Sequence, residues 1–236
     1  MKITALELPA RFDRVADNLE LTDALLSRAP TDLALLPEAS LTGYVSAQGD
    51  FDLTRFAEPR DGPTSRALAA LAKKHRTHLV GPLIERAGES IFNAMIGFDP
   101  DGAEFIHYRK RHPWYPETWA TPGDDPHPKI RLRTLVISLA ICFDLHFGGW
   151  PEVDLLLFPS AWVEEEEDSR AAMLTKLRTN VVNANWGAGE PRLPGQGDSM
   201  IVGASGKILA RADTVTGPRI DAVIVAGSAE GGTAQR

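Results

Sequence analysis

The chain has 236 residues, 43% of them apolar and 24% charged, with a net charge of −7 and a single cysteine. This length supports a substantial core without disulfides or a structural metal, and one cysteine excludes both an internal disulfide and a cysteine-rich zinc site. The acidic balance argues against nucleic acid as a main partner, and no apolar run approaches the ~18 residues of a membrane span.

The N-terminal MKITALELPA alternates like a short strand and lacks the long apolar centre of a signal peptide, so a cytoplasmic location is expected. Lys2 to Leu8 reads as a first strand, and Arg14 to Ser27 as an amphipathic helix. Leu33 to Leu36 is an apolar strand that Pro37 breaks, with Glu38 just past its end. Gly62-Pro63 signals a helix start, and Ser65 to His75 is Ala/Leu-rich with lysines in its last turn. HLVGPLIER and IFNAMIGFDPDG follow as strands, and Asp101-Gly102 turns the chain into EFIHYRK, which ends on Lys110. An aromatic, proline-rich loop carrying Glu117 comes next. LVISLAIC, ending at Cys142, and DLLLFPSAW read as buried strands.

Glu164 to Asp168 is an unbroken acidic run, expected to be a solvated loop or helix start. Arg170 to Asn183 is helix-compatible, NANWGAGEPRLPGQG reads as a Gly/Pro loop, SMIVGASGKILARA as a hairpin around Ser205-Gly206, and Ala222 to Val225 as a last strand. No repeat or linker interrupts the pattern. One domain is expected over residues 1–226, with a frayed tail over 227–236. Alternating strands and helices with interspersed hairpins indicate an α/β fold.

Three buried strands therefore end in one chemically capable residue each: Glu38, Lys110 and Cys142. Ligand sites in α/β proteins form beyond the carboxyl ends of strands. Taken singly, a lone cysteine is most often a small core hydrophobe, and a glutamate or lysine at a strand end is ordinarily solvated. Taken together they form a working set. The thiolate is a nucleophile whose pKa a nearby cation lowers, and Glu38 can take its proton and later activate water. Lys110 and the Phe143 backbone N–H can stabilise an oxyanion. None of the six histidines has an evident Cys-His context, so a papain-like arrangement is disfavoured.

LLPEASLTGY around Glu38, YRKRHPW around Lys110 and ICFDLHF around Cys142 resemble the nitrilase superfamily of carbon–nitrogen hydrolases, whose members carry a Glu-Lys-Cys triad in this order. PETWATPGD resembles the loop of that family that bears a second glutamate, here Glu117. VDLLLFPSAW and GDSMIVGASGKILAR extend the likeness over nearly the whole chain. The resemblance implies a four-layer α-β-β-α sandwich, usually paired into a dimer or higher homo-oligomer. It also implies attack of Cys142 on an amide or nitrile carbon and hydrolysis of a thioester intermediate. Glu38 would serve as general base and acid, Lys110 as oxyanion stabiliser and Glu117 as positioning carboxylate, with no cofactor or metal.

Cys142-Phe143-Asp144 resembles the Cys-aromatic-Asp form of amidase-type members, which favours a small linear amide as substrate, cleaved to a carboxylic acid and ammonia. A carbamoyl-amine substrate is the nearest alternative, with Arg111, His112 and His146 as candidate contacts, and a nitrile follows. Trp114, Tyr115 and Trp162 are candidate walls of an acyl pocket, with Phe143 and His146 beside them. Two features depart from the family pattern. The Glu-Asn pair common on the helix after the FPSAW-type strand has no equivalent, and the chain stops soon after its last strand. Both leave room for a non-catalytic binding protein on the same fold, against which the intact Glu38, Lys110, Glu117 and Cys142 speak.

Overall fold

The computed structural model describes residues 1–163, 169–213 and 217–226. In chain order, β1 (Lys2–Leu6) and the short β2 (Pro9–Arg11) lead into α1 (Val15–Leu26) and β3 (Leu33–Leu35). Then come α2 (Pro63–His75), β4 (His78–Ala87), β5 (Ser90–Phe98) and β6 (Glu104–Arg109). A long connection reaches β7 (Ile130–Leu132) and β8 (Leu135–Leu139), followed by β9 (Leu155–Ser160), α3 (Ser169–Leu174) and β10 (Asn180–Asn185). The chain closes with β11 (Gly187–Glu190), β12 (Met200–Val202), β13 (Ile208–Arg211) and β14 (Arg219–Val223).

Two six-stranded sheets result, in the orders β14-β1-β3-β4-β5-β6 and β13-β12-β10-β9-β8-β7. β3 runs parallel to both β1 and β4, and β9 runs parallel to both β8 and β10. These central strands are buried on both faces, which is why Leu33–Leu35 and Leu155–Ser160 read as continuous apolar runs rather than alternating ones. A single apolar cluster joins Ile3, Leu35, Val80 and Met95 of the first sheet to Ile137, Leu157, Val182 and Ile201 of the second. Each such side chain contributes about 1.5–3 kcal/mol on full burial. On the other face of the first sheet, Leu25 of α1 and Leu68 and Ala72 of α2 cover Ala34, Leu79 and Leu83. The helices and sheets form the α-β-β-α sandwich expected from the resemblance. Among the described residues no helix is long and apolar enough to cross a membrane.

Most element positions agree with the sequence reading, but the short β2 and β7 have no counterpart in it, and the remaining differences cluster in the last third. The helix-compatible stretch Arg170 to Asn183 is helical only over Ser169–Leu174. Its last residues, Asn180 to Asn183, belong to β10, wedged in register between β9 and β12. Val181 and Val182 are β-branched, and two neighbouring strands satisfy the backbone there better than a solvated helix turn would. The Gly/Pro loop likewise begins with the end of β10 and contains β11, whose Gly189 has space for nothing larger because Ala10 of β2 lies against it. The last strand sits earlier than expected, at Arg219–Val223. The acidic run Glu164 to Asp168 and the tail from residue 227 lie outside the described residues.

Side-chain alternation along β6 prepares the site. Tyr108 and, just past the strand, Lys110 turn into the interior. His107 and Arg109 turn to the opposite face, where both bond the buried carboxylate of Glu85.

Candidate active site

Glu38, Lys110 and Cys142 converge beyond the carboxyl ends of β3, β6 and β8, and all three are buried. The Lys110 ammonium lies 2.7 Å from Glu38 Oε1 and 2.6 Å from Glu117 Oε1, with no side-chain exposure. Glu117 reaches this point from the aromatic loop, and the structure places it on Lys110. Tyr44 donates its hydroxyl to Glu117 Oε1 at 2.5 Å. Asn93 of β5 donates to Glu38 Oε1 at 2.8 Å and to Glu117 Oε2 at 3.2 Å. The Ala161 N–H, just past β9, donates to Glu38 Oε2 at 2.9 Å.

Cys142 opens a single 3-10 turn, Cys142–His146, with a φ of 42°. A non-glycine residue in the left-handed region carries strain that surrounding contacts must hold. Asp144 supplies that hold. Its fully buried carboxylate accepts hydrogen bonds from Ile141 N–H at 3.0 Å, Tyr108 O–H at 2.9 Å and His112 N–H at 3.0 Å, and bonds the His112 ring at 2.8 Å. Tyr108 and His112 stand on either side of Lys110 in sequence. Asp144 thereby ties the chain around Lys110 to the turn that carries the thiol.

The electrostatics follow from burial around one cation. The Lys110 ammonium loses solvation, but Glu117 and Glu38 outweigh that loss and hold its pKa above the ordinary lysine value. Burial raises the Glu117 pKa, the charge of Glu38 adds to this, and Lys110 and Tyr44 oppose it. Burial and the charge of Glu38 push the Cys142 thiol well above its usual range, with Lys110 and the Ala161 N–H acting the other way. The resting thiol is therefore neutral and needs a partner to take its proton as it reacts. Burial and Glu117 also raise Tyr44, which keeps it a donor.

A cavity of about 70 Å³ opens onto Cys142, lined by Trp114, Phe143, His146, Ala161, Trp162 and Val163. Trp162 is buried and His146 stacks on it at 5.4 Å. Four of the five residues expected around the substrate line this cavity. Tyr115 does not: it is 79% exposed and packs edge-on against the outer side of Trp114. No group of three or more potential ligands capable of holding a metal occurs among the described residues.

Tyr44, Asn93 and the Ala161 N–H had no role in the sequence reading. The one signal available for Asn93 was a polar residue interrupting the apolar strand IFNAMIGF, and for Tyr44 its place at the end of LLPEASLTGY. A backbone N–H leaves no trace in sequence.

A family model described as carbon-nitrogen hydrolase matches residues 1–151, a span that includes Glu38, Lys110, Glu117 and Cys142. Among curated relatives, a protein named hydrolase in pqqF 5'region from Pseudomonas protegens is 29% identical over 177 residues, covering 68% of this chain. The chain spans only 59% of that relative's length. An N-carbamoylputrescine amidase from Arabidopsis thaliana is 26% identical over 251 residues, with 91% of this chain and 82% of the relative covered. Among solved structures, a CN-hydrolase superfamily protein from Xanthomonas campestris with an arsenic adduct in its active site superposes with a TM-score of 0.83 at 22% identity. That match covers 96% of this chain and 91% of the other.

Proposed function

The chain belongs to the carbon-nitrogen hydrolase family, and from that premise we propose that it is a thiol hydrolase cleaving small linear amides to a carboxylic acid and ammonia. The observation that carries this reading is the buried Lys110 ammonium bridging Glu38 and Glu117 beside the only cysteine of the chain. Such a cluster costs several kcal/mol of desolvation per ion, and its place beyond three strand ends, beside a thiol and a cavity, is what ties it to chemistry.

Glu38 takes the thiol proton as Cys142 Sγ attacks the amide carbon, which compensates for the raised thiol pKa. The oxyanion that forms meets the ammonium of Lys110 and the Phe143 N–H at the start of the 3-10 turn. The protonated Glu38 returns its proton to the departing nitrogen, ammonia leaves, and a thioester remains on Cys142. Water enters, loses a proton to Glu38 and attacks the thioester carbon, and the acid departs as the thiol is reprotonated. Glu117 holds Lys110 in place throughout and is itself held by Tyr44 and Asn93. The narrow, aromatic cavity, with His146 its single titratable wall besides Cys142 among the described residues, suits a short uncharged acyl group.

A carbamoyl substrate is the second reading, favoured by the likeness to the N-carbamoylputrescine amidase over most of both chains. A carbamoyl group presents the same carbon and the same leaving nitrogen to the thiol. Ammonia release from a panel of short amides, nitriles and carbamoyl compounds, compared between wild type and Cys142→Ala, tests both. Release from short amides that disappears in Cys142→Ala is expected. A preference for carbamoyl compounds selects the second reading, and release that persists in Cys142→Ala refutes the thiol mechanism.

A further inference from the structure

Two carboxylates share one ammonium in this site, and Coulombic balance alone leaves one negative charge in excess before the thiol reacts. Buried like charges relieve such an excess by taking up a proton, unless hydrogen bonds favour the ionised form. Asn93 occupies the place where such bonds are made. It lies on the same face of β5 as the core residue Met95 and is 1% exposed. Its position is fixed twice: its backbone carbonyl accepts from the Lys110 N–H at 2.8 Å, and its amide nitrogen reaches both Glu38 and Glu117.

The amide orientation follows from chemistry, because the flipped rotamer would set Oδ1 against two carboxylates. In the observed orientation Oδ1 is buried without a hydrogen-bond partner. Leaving that acceptor unmet is a cost that the two N–H donors offset. Lys110 and Asn93 each bond both glutamates, so the four side chains close a ring. Lys110 supplies the charge, and Asn93 supplies donors without charge. The remaining groups facing the pair are the Tyr44 hydroxyl on Glu117, the Ala161 N–H on Glu38 and the Cys142 thiol.

We propose that Asn93 is a positioning residue of the site: by donating one N–H to each carboxylate it keeps Glu38 and Glu117 together on a single ammonium without a shared proton, and so keeps Glu38 available as the base for Cys142. The proposal rests on the reading of Glu38 as that base.

Because Cys142 is the sole cysteine, its alkylation by iodoacetamide reports the site without any knowledge of the substrate. The second-order alkylation rate is measured from pH 5 to pH 9, in roughly half-unit steps on the scale over which carboxyl and thiol groups titrate, for wild type, Asn93→Ala, Asn93→Ser and Glu38→Gln. Wild type shows an acid limb where the carboxylate pair takes up a proton, and Glu38→Gln lacks it. In Asn93→Ala that limb moves to higher pH by roughly one unit, the scale of losing hydrogen bonds to a charged acceptor. Asn93→Ser, which keeps one shorter donor, moves it less and carries the test if the alanine variant does not fold. A rate lowered by the same factor at every pH, with the Glu38→Gln limb absent, overturns the proposal alone and leaves Asn93 a space-filling residue. A Glu38→Gln profile identical to wild type overturns the base assignment and the proposal with it.

Discussion

Replacing Lys110 with methionine keeps the side-chain volume nearly constant, but removes the ammonium and with it both the charge and the N–H donors to Glu38 and Glu117. The ammonium contacts two carboxylates at 2.7 and 2.6 Å in a site where all three side chains are buried. At an effective dielectric near 20, each contact has a gross attraction of about 6 kcal/mol. Desolvation of the three ions and repulsion between the glutamates cancel most of it, so the pairs add little net stability. Removing the cation is different, because it strands two buried negative charges, and such truncations cost about 3–5 kcal/mol. For a chain of this size that corresponds to a melting temperature lower by roughly 6–20 °C. The loss must depend on pH. When one glutamate takes up a proton the stranded charge is halved, so Lys110→Met recovers part of its stability relative to wild type between pH 7 and pH 5, the approach to the carboxyl range. Urea unfolding at the two pH values, followed by tryptophan fluorescence, measures both quantities, and Lys110→Met/Glu117→Gln is expected to regain part of the loss at neutral pH. A destabilisation below about 1 kcal/mol, or one equal at both pH values, would refute the picture of two ionised glutamates held by a single cation.

Two further outcomes follow from residues beside the site. Asp144→Ala leaves the Ile141 and His112 N–H groups and the Tyr108 hydroxyl without their acceptor, at about 1–3 kcal/mol for each donor left buried. It also releases the turn at Cys142 from the Lys110 segment, so unfolding free energy and iodoacetamide reactivity should fall together; loss of stability with unchanged reactivity would disprove the tie. On the outer face, burial works to raise the Glu85 pKa, but the hydrogen bonds and charges of His107 and Arg109 prevail and hold it at about 2, against an ordinary value of 4.5. A depressed carboxyl contributes stability that is fully present above its unfolded value and lost as pH falls through its folded one. Glu85→Gln should therefore flatten the stability–pH curve between about 4.5 and 2, and a mutant curve parallel to wild type in that window would count against the network.

Much of this molecule is local and thus legible from the chain alone. β3 and β8 are apolar runs broken by Pro37 and by the Cys142 turn, and where a buried strand stops, the next polar side chain stands at the sheet edge; this is why Glu38, Lys110 and Cys142 could be placed without coordinates. The resemblance carried Glu117 the rest of the way, since nothing in the spacing of a long aromatic loop says which of its residues turns inward. Only the folded chain decided what surrounds these groups. Asn93 meets Glu38 and Glu117 because β4 pairs with both β3 and β5, a register that brings distant segments side by side. Tyr115 points outward while its neighbour Trp114 lines the cavity, a choice made by the packing of Trp114 against Tyr44 and Phe51. The end of the helix-compatible stretch, Asn180 to Asn183, became a strand because a slot between β9 and β12 offered hydrogen bonds on both sides. Propensity acts over a few residues, whereas strand pairing and the sharing of one cation by two glutamates are settled between segments far apart in sequence.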